Sequence, residues 1–143
     1  MELDRNDVGF LLAVASRRWN ETLERRFAEA GFPEVRASYG SLLVPLFEED
    51  GLRLGDLARR AQLSKQTITT MARLLERDGL VERRPDEVDG RASRLYLTRR
   101  ARAFEGAARR VLRELDREVG RALTTRRAAE LKKSLEALIA RLG

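Results

Sequence analysis

Apolar residues recur at Val8, Leu11, Leu12, Ala15, Trp19, Leu23 and Phe27, the three-and-four spacing that lays one stripe along an α-helix. Ala30-Gly31-Phe32-Pro33 breaks that pattern. A second helix is predicted from about Glu34, carrying Tyr39, Leu42, Leu43, Leu46 and Phe47 and stopping at Asp50-Gly51; Pro45 inside it predicts a kink or an earlier end. Next, Gly55 is a tolerable N-cap for a helix of barely two turns that turns Leu57, Ala58 and Ala61 inward. Ser64 caps a following helix with Ile68, Met71, Ala72 and Leu75 inside and a stop at Asp78-Gly79. Two short helices joined by so brief a turn form a helix-turn-helix unit.

Beyond it the period changes from helical to alternating. Val81 to Arg84 and Arg94 to Leu97 read as the two strands of a hairpin, with Pro85 to Ser93 as the loop and Asp89-Gly90 as its turn. A hairpin directly after a helix-turn-helix is a wing. From Thr98, a good N-cap, a long helix places Phe104, Ala108, Val111, Leu112, Leu115 and Val119 on one stripe. Thr124 or Thr125 caps a last helix with Ala128, Leu131, Leu135, Leu138, Ile139 and Leu142 on another. The fold class is mostly α with one small β-hairpin. The first helix and the last two have few partners within so small a winged unit, so they are expected to bury their stripes against a second copy in a two-fold dimer; a self-contained bundle is the alternative.

Composition narrows the chemistry. The 143 residues suit one domain, and they include no cysteine and no histidine. Disulfides, thiolate catalysis, Ser-His and Cys-His pairings and the metals that favour nitrogen or sulfur ligands are thereby excluded within this chain. No metal, cofactor or catalytic residue is expected, and no paired carboxylates or glycine-rich phosphate loop point to an enzyme. No apolar run reaches membrane-spanning length, and acids stand in "MELDRND" where a signal peptide would carry positive charge, so a cytoplasmic location without membrane association is expected.

Charge adds a direction. Residues 1–52 hold 6 basic and 10 acidic residues, whereas residues 53–102 hold 13 and 7. A basic centre joined to an acidic start suggests a face for a polyanion, against the plainer reading of a charged helical surface. On the second short helix, Lys65, Gln66, Thr69, Thr70 and Arg73 lie opposite the apolar stripe, and no acid stands between Ala58 and Leu75. Compact donors and acceptors with two cations suit a helix lying in the major groove. The hairpin loop is densely charged: four arginines and four acids fall between Val81 and Thr98. An arginine on a thin loop can enter the minor groove while a neighbouring carboxylate fixes its direction, and Asp89 and Arg91 have that relation in sequence. Asp86 and Glu87 have no role in this reading.

Taken in order, the helices, the block "LGDLARRAQLSKQTITTMARLLERDGLVERR" and the wing "DGRASRLYLT" resemble the MarR family (multiple antibiotic resistance regulators) over nearly the whole chain. The resemblance implies a single domain over 1–143: a winged helix-turn-helix over 34–97, with 1–33 and 98–143 as N- and C-terminal dimerisation helices. It implies a homodimer on double-stranded, pseudo-palindromic DNA, a repressor as a rule, often released by a small-molecule effector. By position it places Ser64, Lys65, Gln66, Thr67, Thr69, Thr70 and Arg73 on the recognition helix and Asp89 and Arg91 on the wing, with Arg94 beside them. Effectors in the family sit between the dimer helices and the winged part, which makes Phe10, Trp19, Tyr39 and Phe47 aromatic candidates, although packing explains them as well. The chain departs from the family where Gln62 stands for a frequent glycine, Thr70 for a frequent arginine and Arg73 for a frequent acid. Without cysteine, release by thiol oxidation is excluded.

Two rival functions fit the same residues: a small-molecule or protein-interaction module on a winged scaffold with weak DNA contacts, and sequence-indifferent DNA coating. Coating needs cations more than amides and hydroxyls, so Gln66, Thr69 and Thr70 argue against it.

Overall fold

The computed structural model describes residues 4–143; the first three residues of the stretch 1–33 lie outside it. Asp7 starts helix α1 (Val8–Glu29) by accepting the Gly9 N–H at 3.1 Å. Of the apolar stripe predicted there, only Leu23 and Phe27 are buried.

The second helix is shorter than its periodicity predicts. Residues 32–36 are pinned first: Phe32 and Val35 are buried and the Glu24 carboxylate takes the Ala37 N–H at 3.2 Å. A 3-10 turn (Ala37–Tyr39) then leads into α2 (Gly40–Glu48), with Pro45 inside it. Proline offers no N–H to the carbonyl four residues back, and a helix this brief depends on burying Leu42, Leu43 and Leu46.

Two further expectations need correction. The sheet has three strands: β1 (Leu52–Arg53), β2 (Val81–Pro85) and β3 (Ser93–Leu97), antiparallel in the order β1-β3-β2. Helix α3 (Leu54–Ala61) starts where β1 ends, so Arg53, not Gly55, holds the N-cap position, with no side-chain cap bond. Helix α4 (Lys65–Arg77) starts at Ser64, whose Oγ accepts the Thr67 N–H at 3.1 Å. Between them Gln62 sits in the left-handed region at φ 55° and ψ 41°. Helix α5 (Arg99–Leu123) starts after Thr98, which accepts the Ala101 N–H at 3.2 Å and donates to the Gly79 carbonyl at 2.7 Å. Thr124, at φ 74°, caps α6 (Thr125–Leu142).

The chain divides into two compact units, Met1–Ala107 and Ala108–Gly143. In the first, Leu42, Leu46, Leu57, Ile68, Ala72, Leu75, Leu80 and Leu95 are wholly buried and form the core. Phe104 meets Phe27 and Phe32 edge to face, with ring centroids 4.8 and 5.3 Å apart. Tyr39 is buried too, and its hydroxyl donates to Asp78 at 2.5 Å, tying the 3-10 turn to the end of α4. Burial and that bond raise the Tyr39 pKa to about 12, while Arg77 and Tyr39 together hold Asp78 below the usual carboxylate range. In the second unit Val111 and Leu115 are buried on α5, but no residue of α6 is.

Candidate nucleic-acid interface

Helix α4 presents two unlike faces. Ile68, Ala72 and Leu75 are buried; Lys65, Gln66, Thr70 and Arg73 are exposed and Thr69 is half-exposed. The hydroxyls on the exposed side are already wired to the helix. Ser64 Oγ and Thr67 Oγ1 lie 2.8 Å apart in the cap, while Thr69 and Thr70 donate to the Lys65 and Gln66 carbonyls at 2.8 and 3.1 Å. Thr69 and Thr70 therefore present an oxygen acceptor and a methyl, suited to an amino group or a thymine methyl on a base edge. Lys65, Gln66 and Arg73, exposed on α4, add the donors of this face.

The wing is organised differently from expectation. Asp89 accepts the backbone N–H of Arg91 at 3.1 Å, and no bond among the described residues joins it to the Arg91 guanidinium. With Ala92 N–H donating to the Asp89 carbonyl at 3.0 Å, Asp89 shapes the turn and does not aim an arginine. The carboxylate that aims arginines is Asp86, which is only 4% exposed. It accepts from Arg94 Nε at 2.8 Å and from Arg53 Nη2, and its backbone N–H closes the loop onto the Ala92 carbonyl at 2.9 Å.

The sheet register explains why a carboxylate is needed there. Arg94 is paired with Arg53 on one side and with Arg84 on the other, so three cations stand in one row across the sheet. Like charges directly opposite one another are destabilising. Asp86 neutralises part of the row, and Arg84 turns to Glu82 at 3.0 Å and stacks 4.4 Å from the Tyr96 ring centre. The hydrogen bond from Arg94, with the charge of Arg53, holds Asp86 below the usual carboxylate range. Arg94 also donates to the Gly51 carbonyl at 2.7 Å, so this candidate braces the wing root. Arg53 Nε is buried and has no partner among the described residues.

Most cations of residues 53–102 have a carboxylate partner, Arg59 with Asp56, Arg60 with Glu49 and Arg83 with Glu76 among them. Among the described residues, no ion pair is formed by Lys65, Arg73, Arg91 or Arg99. Two of these four lie on the exposed face of α4 and one on the wing. The aromatic candidates do not share one environment: Tyr39 belongs to the core, whereas Phe10 and Trp19 are exposed on α1.

The family model for MarR matches residues 38–93. The HTH-type transcriptional repressor Rv2887 of Mycobacterium tuberculosis is 35% identical over 115 residues, covering 74% of this chain and 83% of that protein. The chain belongs to the MarR family of DNA-binding transcriptional regulators. Among solved structures, the PcaV transcriptional regulator of Streptomyces coelicolor, in complex with its natural ligand, superposes with a TM-score of 0.83 at 19% identity, covering 100% of this chain and 99% of that one. The MepR–DNA complex of S. aureus superposes with a TM-score of 0.81 at 20% identity, covering 96% and 98%. This MarR chain thus has the winged helix-turn-helix fold, and the family's members are not enzymes. Among its described residues no helix is long and apolar enough to cross a membrane.

Proposed function

We propose that this MarR-family chain is a cytoplasmic repressor that binds a pseudo-palindromic operator as a two-fold dimer and is released by a small-molecule effector. The observation that supports the DNA reading is that Lys65 and Arg73 on the exposed face of α4 and Arg91 on the hairpin form no ion pair among the described residues. Around them, Gln66, Thr69 and Thr70 offer the hydrogen-bonding groups that distinguish one base pair from another. Each α4 enters a major groove, Ser64 and Thr67 hold its first turn against the backbone, and Arg91 enters the flanking minor groove.

Exposed apolar surface supports the dimer. Val8 is 61% exposed on α1, and Ile139 and Leu142 are 65% and 77% exposed on α6. Stripes so placed on the stretches 1–33 and 98–143 are satisfied by the same stripes of a second copy. Two recognition helices then fall about one helical turn apart, roughly 10 base pairs. The repressor reading follows the name of the 35% identical mycobacterial relative, and the effector reading follows the ligand-bound PcaV structure.

The test is a selection of random duplexes by the purified protein, with affinity followed against salt. A two-fold motif with a steep salt slope, near −0.9 per phosphate neutralised, is the expected result. Gln66→Ala relaxes the motif at one position at a cost of about 1–3 kcal/mol, whereas Lys65→Ala weakens all duplexes alike. Salt-sensitive binding without a motif would replace this reading with DNA coating, and binding indifferent to salt would replace it with a ligand or interaction module.

A further inference from the structure

Between the wing root and the start of the recognition helix lies an open cleft of about 610 Å³. Its charged lining is one-sided: Arg53, Arg59, Lys65, Arg83, Arg91 and Arg94 against the single acid Asp56. Arg59 is neutralised by Asp56, and Arg83 lies 3.9 Å from Glu76, so the uncommitted charge belongs to Lys65 and Arg91 and to the Arg53–Asp86–Arg94 triad, which keeps a net positive charge.

The triad is built to hold guanidinium groups still. Asp86 receives Arg94 on Oδ1 and Arg53 on Oδ2, and Gly51 receives Arg94 a second time. Arg53 is held only through Nη2 on a side chain that is 40% exposed, so its remaining Nη hydrogens are available for one more acceptor. Fixed guanidinium forks beside free cations match the chemistry of a phosphodiester oxygen.

We infer that this cleft takes one backbone phosphate of the bound duplex, with Asp86 as the positioning residue that aims Arg53 and Arg94 at it. The inference rests on the DNA-binding reading of the same face and adds to it a residue that touches no DNA. Asp86 is acidic on a surface that binds a polyanion, yet its removal weakens binding, because two arginines then lose their direction and repel one another.

The experiment compares the wild type with Asp86→Asn and Arg53→Ala on the selected duplex, neutralising one phosphate at a time as a methylphosphonate. In the wild type, one position per half-site is expected to cost about tenfold in affinity when neutralised, the loss of a charge-assisted hydrogen bond. In Asp86→Asn the same neutralisation costs little, in Arg53→Ala it costs less than in the wild type because Arg94 is still aimed, and the salt slope is smaller by about 0.9 for each phosphate that the protein no longer grips. The selected motif is unchanged, because phosphate contacts carry no base information. A general structural defect cannot reproduce a loss tied to one phosphate, and Arg53→Ala, at a half-exposed side chain, leaves the Asp86–Arg94 contact in place. Variants that weaken binding equally at every phosphate position, or that retain the full salt slope, would overturn the proposal. So would inorganic phosphate displacing DNA from wild type and Asp86→Asn alike, which would make the ligand a free oxyanion. A wild type without salt-dependent binding would instead overturn the DNA reading itself.

Discussion

Helices α1, α3 and α4 end in the same way, and the comparison yields a quantitative prediction. In each, one N–H closes on the carbonyl three residues back and the next on the carbonyl five back: Gly31 to Ala28 and Phe32 to Phe27, Gln62 to Arg59 and Leu63 to Ala58, Gly79 to Glu76 and Leu80 to Leu75. The pattern requires a left-handed residue, at φ 99°, 55° and 75° respectively. Two of the three are glycine, but the turn between α3 and α4 uses Gln62. A side chain with a Cβ costs roughly 1–2 kcal/mol there, and glycine offsets about 0.5–1 of that through its freer unfolded chain. Gln62→Gly should therefore stabilise the protein by about 0.5–1 kcal/mol, or about 1–4 °C in Tm for a chain of this length. Gly79→Gln is the converse: a Cβ there meets nothing within 4 Å, so its cost is purely conformational and of similar size with opposite sign. Urea unfolding at one fixed protein concentration measures both, the concentration being held because the stability of the proposed dimer would depend on it. The slope with denaturant should be unchanged, as should DNA affinity. A destabilised Gln62→Gly, or a neutral Gly79→Gln, refutes the reasoning.

Three further outcomes are expected. Tyr39→Phe should cost about 1.5–3 kcal/mol, the range for a hydrogen bond to a charged group, measured by the same unfolding. Because the folded Tyr39 pKa is raised to about 12 from an ordinary 10, its contribution is complete below pH 10 and fades as pH rises toward 12; the wild type should lose this increment over that window and Tyr39→Phe should not. Glu34 accepts from Arg100 at 2.7 Å and is held below its ordinary pKa by that bond, so it contributes stability above the usual carboxylate range that is lost as pH falls; Glu34→Gln should flatten this part of the acid limb in a Tm-against-pH series. Gly51 is at φ 73°, and a Cβ there would lie 2.8 Å from Tyr96 Cε1, so Gly51→Ala should destabilise by about 1–3 kcal/mol and loosen the carbonyl that Arg94 uses, visible as faster amide exchange along β1 and β3.

What could be read from the sequence was whatever repeats over short distances. The stripe of Ile68, Ala72 and Leu75 and the caps at Ser64 and Thr98 are local signals, and the structure has them where the spacing predicts. Strand β1 left no such signal, because two residues cannot show an alternation. Asp86 was missed for a related reason. Its arginines lie 33 and 8 residues away, whereas Asp89 and Arg91 are two apart, and proximity along the chain pairs the wrong acid with the wrong cation. The signal existed in a form that needs the register first: once Arg53, Arg94 and Arg84 are aligned across three strands, a carboxylate must stand near them.

Four aspartates at element ends and turns then have a common logic. Asp50 takes the Leu97 N–H at 2.9 Å and Arg102 at 3.2 Å, Asp78 takes Tyr39 and Arg77, Asp86 takes Arg53 and Arg94, and Asp89 takes a backbone N–H of the turn. Each sits where a strand end, helix end or loop needs an acceptor; Asp50 and Asp78 also take up a cation, Arg102 and Arg77, that would otherwise compete for a ligand, whereas Asp86 fixes the direction of its two arginines. Among the described residues, the cations of 53–102 left without an ion pair are Lys65 and Arg73 on α4, Arg91 on the wing and Arg99 at the start of α5. Asp50→Lys would release Arg102 to any polyanion and so raise binding to random duplexes, measured by titration against salt. Net charge alone cannot describe this surface, because the carboxylates decide which arginines are held and in which direction they point.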